Sequence, residues 1–215
     1  MLIIGARGFA KEVLEVVHQL NQTENLVFYD DINHEVPEKL YDQFPVLRTI
    51  QEVVIYFKTI DNQFTIGIGN PVLRKKLYDK FTELGGDFTS TISPLAIIGS
   101  YDIKIGIGSN ILSGSVFSNN TEVGIGCIIY YNSIITHDCK IGDFVEISPA
   151  VKLLGRCEIG SYSQIGSNAT ILPDVKIGKN VIIGAGSVVT KDLPDNCVAV
   201  GIPAKIIKVL SPLEF

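Results

Sequence analysis

Three histidines, His18, His34 and His137, are the only imidazoles in this 215-residue chain. His18 lies on an amphipathic segment and His34 in a polar stretch, so both read as structural or solvated. His137 is followed at once by Asp138, a carboxylate placed to fix the tautomer and orientation of the ring, as a general base requires. Eighteen residues further on stands Gly155. If the chain stacks there, a bare main-chain N–H beside the imidazole suits a carbonyl and the oxyanion formed from it.

A second cluster sits near the start. Met1 to Gly5 reads as a short apolar strand, followed by Gly5-Ala6-Arg7-Gly8 and a helix carrying Val13, Val16, Val17 and Leu20 on one face. Gly8 lets an anion approach the helix N-terminus, where unpaired N–H groups and the helix dipole favour negative charge. Asp30 and Asp31 follow a second strand, Leu26 to Tyr29, and are placed to accept hydrogen bonds from a ribose or base. Alone, Gly-x-x-Gly is shorter than the dinucleotide fingerprint and fits a tight turn beside a solvated acidic loop equally well. Arg7 can pair with a diphosphate or simply be solvated. A third strand is expected over Thr65 to Gly69, then Asn70-Pro71 and a helix to about Leu84. Strand–helix alternation gives a small parallel α/β unit with its ligand at the strands' carboxyl ends.

The elements that hold His137 come from a repeat. From Ile105 to Val189 every sixth residue is large and apolar, and four residues after each stands a smaller one, as at Ser109, Cys127, Ser163 and Ser187. No helix has that period. Gly106, Gly124, Gly142, Gly160 and Gly178 recur every 18 residues. Three sixes per turn predict a triangular coil of short strands, a parallel β-helix with coils about 4.8 Å apart. Residues 18 apart then stack, which puts Asn119, His137, Gly155 and Pro173 in one column. The repeat runs from about 92 to 189, and a glycine at one corner per coil marks a site where a Cβ would strain the chain. Cys127, Cys139 and Cys157 take the small buried position and read as inert packing; Cys139 and Cys157 should stack.

Composition excludes several classes. The chain is 46% hydrophobic and 19% charged with formal net charge −5, which argues against disorder and against nucleic acid as the main partner. No apolar run reaches the ~18 residues of a membrane span, and the start lacks the basic region of a signal peptide. A cytoplasmic protein is expected. Several converging histidines, as a metal site would need, are missing from the repeat, so no metal is expected.

The repeat, together with Val188-Val189-Thr190-Lys191-Asp192-Leu193-Pro194 and Val200-Gly201-Ile202-Pro203-Ala204-Lys205, resembles the hexapeptide-repeat acyltransferases. With the α/β start, nearly the whole chain is similar to bacterial UDP-amino-sugar N-acetyltransferases and their sialic acid O-acetyltransferase relatives. The resemblance implies a left-handed β-helix, a homotrimer with active sites between subunits, acetyl-CoA as co-substrate and a nucleotide-linked sugar as acceptor. It implies residues 1–88 as an α/β nucleotide-sugar-binding domain, 89–189 as the β-helix acyltransferase domain and 190–215 as a capping segment. It makes His137 the catalytic base with Asp138, and Gly155 the acetyl contact. It assigns Gly166, Ser167, Gly184, Ala185 and Lys205 to acetyl-CoA, and Arg7, Gly8, Phe9, Asp30, Asp31, Gly69 and Asn70 to the nucleotide sugar. Phe9 and Glu146 stand where close relatives carry histidines; Glu146 is a substrate contact or a rim charge. The expected activity is transfer of acetyl from acetyl-CoA to a UDP- or dTDP-linked amino sugar for surface glycan synthesis. The alternatives are a sugar or sialic acid O-acetyltransferase and a non-catalytic β-helix binding module. One end of the β-helix is expected to be covered by the N-terminal domain and the other by residues 190 to 210.

Overall fold

The computed structural model describes residues 1–214. Six strands form the first sheet: β1 Leu2–Ile4, β2 Val27–Tyr29, β3 Lys39–Leu40, β4 Phe44–Leu47, β5 Gln63–Ile66 and β6 Asp87–Phe88. Their order is β3-β4-β2-β1-β5-β6, all parallel except the β3–β4 hairpin. Helix α1 (Gly8–Gln19) buries Val13, Leu14 and Val17 against Met1, Ile3 and Phe28, and Val16 is buried outside that cluster. Leu20 is its half-buried C-cap rather than part of the buried face. On the opposite face, α2 (Ile50–Thr59) and α3 (Pro71–Glu83) pack Val53, Tyr56, Phe57 and Phe81 onto Leu2, Ile4 and Phe64.

The third expected strand starts and ends earlier than the sequence suggested. It covers Gln63–Ile66, and the glycines after it form a loop. Close packing gives one reason: a Cβ on Gly67 would lie 2.6 Å from the Ala10 backbone. The segment from 32 to 62 holds β3, β4 and α2, elements beyond those expected from the sequence. Helix α2 carries a readable start signal, a capping box in which Glu52 N–H donates to the Thr49 side chain while the Glu52 carboxylate accepts from Thr49 N–H.

From Thr91 to Val189, seventeen two-residue strands wind into three parallel sheets. Register is i to i+18 from Lys104 onward: Ile111 pairs with Ile129, Phe117 with Ile135 and Val123 with Ile141. The six-residue column from Ile111 to Val189 fills the interior, and the smaller residues from Ser109 to Ser187 are buried beside the turns. The first face includes Glu146–Ile147, the second Ile134–Ile135 and the third Lys140–Ile141. Outward on the third face Lys104, Glu122, Lys140, Glu158 and Lys176 stack in alternating charge, with Lys104–Glu122 at 2.8 Å and Lys176–Glu158 at 3.0 Å.

Corner geometry has a rule that the glycine column did not reveal. The residue three after each inward residue, from Gly108 to Gly186, has positive φ at all fourteen corners. Asn, Asp or Gly occupies ten of them, because these residues tolerate the left-handed region best; Phe144, Ala150, Arg156 and Tyr162 are the exceptions. The 18-residue glycine column has another cause. A Cβ on Gly106 would lie 2.5 Å from the Gly124 carbonyl carbon, and one on Gly160 as close to that of Gly178. Crowding between coils, not φ, demands glycine there.

The N-terminal unit packs along the flank of the β-helix rather than over its end. Thr65 Oγ1 donates to Asn110 at 2.9 Å, Asn110 Nδ2 donates to the Ile66 carbonyl at 3.0 Å, Phe9 meets Tyr130 at 5.2 Å and Tyr78 meets Phe144 at 6.0 Å. These contacts climb the first face and its two bordering corners. Arg74 of α3 anchors the joint. It is buried, and its guanidinium donates to the carbonyls of Gly69, Gly126, Phe144 and Val145. At the far end a hairpin, Cys197–Gly201 with Ala204–Val209, extends the first face, and buried Leu193 bridges to Ile177.

Candidate active site

His137 and Asp138 occupy the corner between the second and third faces. Asp138 takes the positive-φ position, φ 60°, so a short polar residue is wanted there on backbone grounds alone. Its carboxylate also holds His137 Nδ1 at 2.7 Å and accepts from Asn120 Nδ2 at 3.1 Å. Hydrogen bonds from His137 and Asn120 keep the Asp138 carboxyl below the ordinary carboxylate range. The imidazole is 53% exposed. One coil on, a Cβ built on Gly155 would lie 2.7 Å from His137 Cε1 and 2.8 Å from Nε2. The ring therefore lies against the bare α-carbon, as the 18-residue spacing predicts, and the Gly155 N–H donates to no described residue.

Beneath this pair the thiols of Cys139 and Cys157 stack 3.6 Å apart, both fully buried. The hydrogen bond to Cys139, and then burial, push the Cys157 thiol up. Such thiols pack and do not attack.

The second site is a cavity of 570 Å³ at the carboxyl ends of β1, β2 and β5. Gly5, Arg7, Gly8, Phe9, Asp30, Asp31, Asn33 and Gly69 line it, with Leu73, Leu77 and Lys80 from one face of α3. A Cβ on Gly8 would meet nothing within 4 Å, so the helix N-terminus opens onto free space. Asp30 is committed. It is buried, and its carboxylate accepts from the Ile32 and Asn33 N–H groups and from Asn33 Nδ2. Burial raises its pKa, and those hydrogen bonds more than reverse that, leaving it lowered. Asp31 is left as the exposed carboxylate of the pair. Arg7 donates to Asn33 at 2.9 Å and pairs with Glu35 at 3.2 Å. Asn70 does not line the cavity; its side chain caps α3 by accepting from Leu73 N–H at 2.9 Å. Leu73, Leu77 and Lys80 were missed by sequence reading, although their i, i+4, i+7 spacing was legible.

Glu146 is not a rim charge. It is half-buried on the first face, where a Cβ on Gly69 would come within 3.5 Å of Oε2. Burial pushes its carboxyl above the ordinary range, only partly offset by Arg74 and Ser148.

These groups do not converge within one chain. The cavity unit covers the first face, and His137 sits on the corner opposite it. Gly166, Ser167, Gly184 and Ala185 turn the corner between the first and second faces, which is also not the His137 corner. Lys205 is exposed on the terminal hairpin. Gly166 and Gly184 are themselves close-packed: Cβ atoms there would lie 2.6 Å from Ala185 N and 2.6 Å from Val200 Cγ1.

A parallel α/β cavity unit on the flank of a three-sided coil is the architecture of a hexapeptide-repeat transferase. Residues 1–81 match the PglD N-terminal domain, and residues 138–173 and 156–191 match the bacterial transferase hexapeptide. PerB from Caulobacter crescentus, solved with CoA and GDP-perosamine, is 30% identical over 96% of each chain with TM-score 0.88. The acetyltransferase domain of PglB from Neisseria gonorrhoeae, solved with acetyl coenzyme A, is 30% identical over 96% of this chain and 98% of that one, TM-score 0.85. WeeI from Acinetobacter baumannii is 30% identical over the same shares, TM-score 0.75. No curated protein matches the chain. The chain belongs to the hexapeptide-repeat, left-handed β-helix family of sugar acetyltransferases. Among the described residues no helix is long and apolar enough to cross a membrane.

Proposed function

We propose that this acetyltransferase moves the acetyl group of acetyl-CoA to the amine of a nucleotide-linked sugar, with His137 as general base. The observation that carries this reading is the His137 ring lying on Gly155 while Asp138 holds Nδ1. With Nδ1–H donating to Asp138, Nε2 is the basic nitrogen, on the side of the bare main chain. As the acceptor nitrogen attacks the thioester carbon, Nε2 takes its proton, and the Gly155 N–H stabilises the carbonyl oxygen as it becomes an oxyanion. The carbon–sulfur bond then breaks, and the imidazolium returns the proton to the CoA thiolate. Both substrates are held at once, so proximity replaces an acyl-enzyme.

The nucleotide fits the 570 Å³ cavity, with phosphates at the α1 N-terminus near Gly8 and Asp31 toward the base. Because the cavity and His137 lie on opposite sides of one chain, the complete site needs a second copy. Three copies with their second faces turned inward bring the His137 corner of one against the Gly166–Ser167 and Gly184–Ala185 corner of the next, with that copy's cavity alongside. The Ile97, Val116 and Ile134 stripe on the second face supplies apolar surface for such contact. Acetyl-CoA then runs between copies.

Release of free thiol from acetyl-CoA tests the reading, with GDP-, UDP- and dTDP-linked amino sugars offered in parallel. His137→Ala is expected to lower turnover at least ~10²-fold. Near-wild-type turnover in that variant, or a solution mass of 23.4 kDa for the active species, would overturn it.

A further inference from the structure

Arg74 is surrounded by acceptors, yet Glu146 beside it is nearly without donors. The guanidinium is directed to four main-chain carbonyls. No ion pair among the described residues includes Glu146, and the one hydrogen bond to its carboxylate is a long 3.5 Å contact from Ser148 Oγ to Oε1. Oε2 has no described partner. A half-buried carboxylate in that state is costly, because it has lost water and gained little in return.

Its position says what could satisfy it. Two loops close the cavity toward the β-helix: Gly8–Phe9, where the phosphates belong, and Gly69. Phe9 touches Tyr130, and the Gly69 α-carbon faces Glu146. A sugar attached beyond the phosphates leaves the cavity at this seam. Ser148, the partner of Glu146, turns the corner between first and second faces, the corner that three copies with inward second faces would set against His137 of the next.

We infer that Glu146 is the residue that selects a sugar bearing an ammonium group, binding that group at the seam between the cavity and the β-helix. This rests on the acetyltransfer reading above and deepens it, since it names the residue that recognises the acceptor amine. An amine arrives protonated near neutral pH, and a half-desolvated carboxylate discriminates it from a hydroxyl through a charge-assisted hydrogen bond; the bound ammonium gives one proton to Glu146 or solvent before the free amine attacks, and His137 takes the second as the bond to carbon forms. A neutral side chain at 146 would remove that discrimination while leaving the nucleotide contacts in place.

Glu146→Gln keeps shape and removes charge. Steady-state kinetics would use GDP-perosamine and UDP- and dTDP-linked amino sugars, with each sugar's hydroxyl counterpart as a competitive inhibitor and the free nucleoside diphosphate as a binding control. KM for the preferred amino sugar is expected to rise ~10-fold or more. The inhibition constant of the hydroxyl counterpart and the diphosphate affinity should change less than ~2-fold, which also shows that the variant is folded. An unchanged KM, or an equal rise for amine and hydroxyl compounds, overturns the assignment of Glu146 alone. Absence of thiol release by the unaltered protein with every amino sugar overturns the acetyltransfer reading together with it.

Discussion

Gly155→Ala separates a catalytic role for the stacked pair from a merely structural one. The new Cβ would sit 2.7 Å from His137 Cε1 and 2.8 Å from Nε2. Non-bonded carbons rest at about 3.5–4.0 Å, so the ring must retreat by roughly 1 Å. Its free space is toward solvent, since the imidazole is 53% exposed; a shift of that size moves Nε2 off its place beside Gly155 and disturbs the 2.7 Å contact with Asp138. An exposed pair of this kind contributes about 0–1 kcal/mol to stability, and Gly155 has no positive φ for alanine to strain. The melting temperature is therefore expected to fall by only a few degrees. Displacing a reacting group by ~1 Å costs about 10² in rate, so kcat for thiol release is expected to drop ~10²-fold. Gly160→Ala is the control, because there the Cβ meets backbone, 2.5 Å from the Gly178 carbonyl carbon and oxygen. Overpacking of an interior costs ~1–3 kcal/mol, and that variant should melt early while its folded fraction still turns over. A Gly155→Ala enzyme with full kcat, or one destabilised as much as Gly160→Ala, would refute the reasoning.

Asp138→Asn keeps a residue that tolerates φ 60° but removes the charge that orients the imidazole; kcat should fall ~10-fold or more with the melting temperature unchanged, checked by thiol release and calorimetry. Arg74→Met removes the guanidinium donor from the carbonyls of Gly69, Gly126, Phe144 and Val145, of which Val145 keeps the Ile128 N–H; a loss of at least ~3 kcal/mol is expected in urea unfolding. Glu146→Gln should raise the stability of the ligand-free protein at neutral pH. Burial raises the Glu146 carboxyl above the ordinary 4.5, so the charged form is disfavoured by folding. The gain should be full above the folded-state pKa and vanish as pH falls through it to below 4.5, read from melting temperatures at matched ionic strength.

Much of the β-helix was legible before any coordinates. Side chains alternate between inside and outside, and three short sides close a turn, so a period of six nested in eighteen admits few geometries. That period stacked His137 on Gly155 and Cys139 on Cys157, and the structure has both stacks. The corner rule was also written in the residues: Asn, Asp or Gly three after the inward residue at most turns. Phe144 and Tyr162 obscured it. Their rings stack 5.8 Å apart against the cavity unit, and that packing holds a left-handed backbone which local preference disfavours.

Sequence alone thus determined what depends on neighbours along the chain and on a fixed repeat: the coil, its interior, the His137–Asp138 pair and the strand–turn–helix opening onto Gly8. Tertiary structure decided what depends on approach between distant segments. It laid the cavity unit on the flank of the coil and set a poorly partnered Glu146 behind Gly69, whereas the turn of Asp30 to Asn33 and the cap of Asn70 on Leu73 are contacts three residues apart. Periodicity carries no information about which side of a coil a separate unit will cover. That choice comes from the fit of one surface to another, here from Arg74 reaching four carbonyls that no local pattern marks as acceptors.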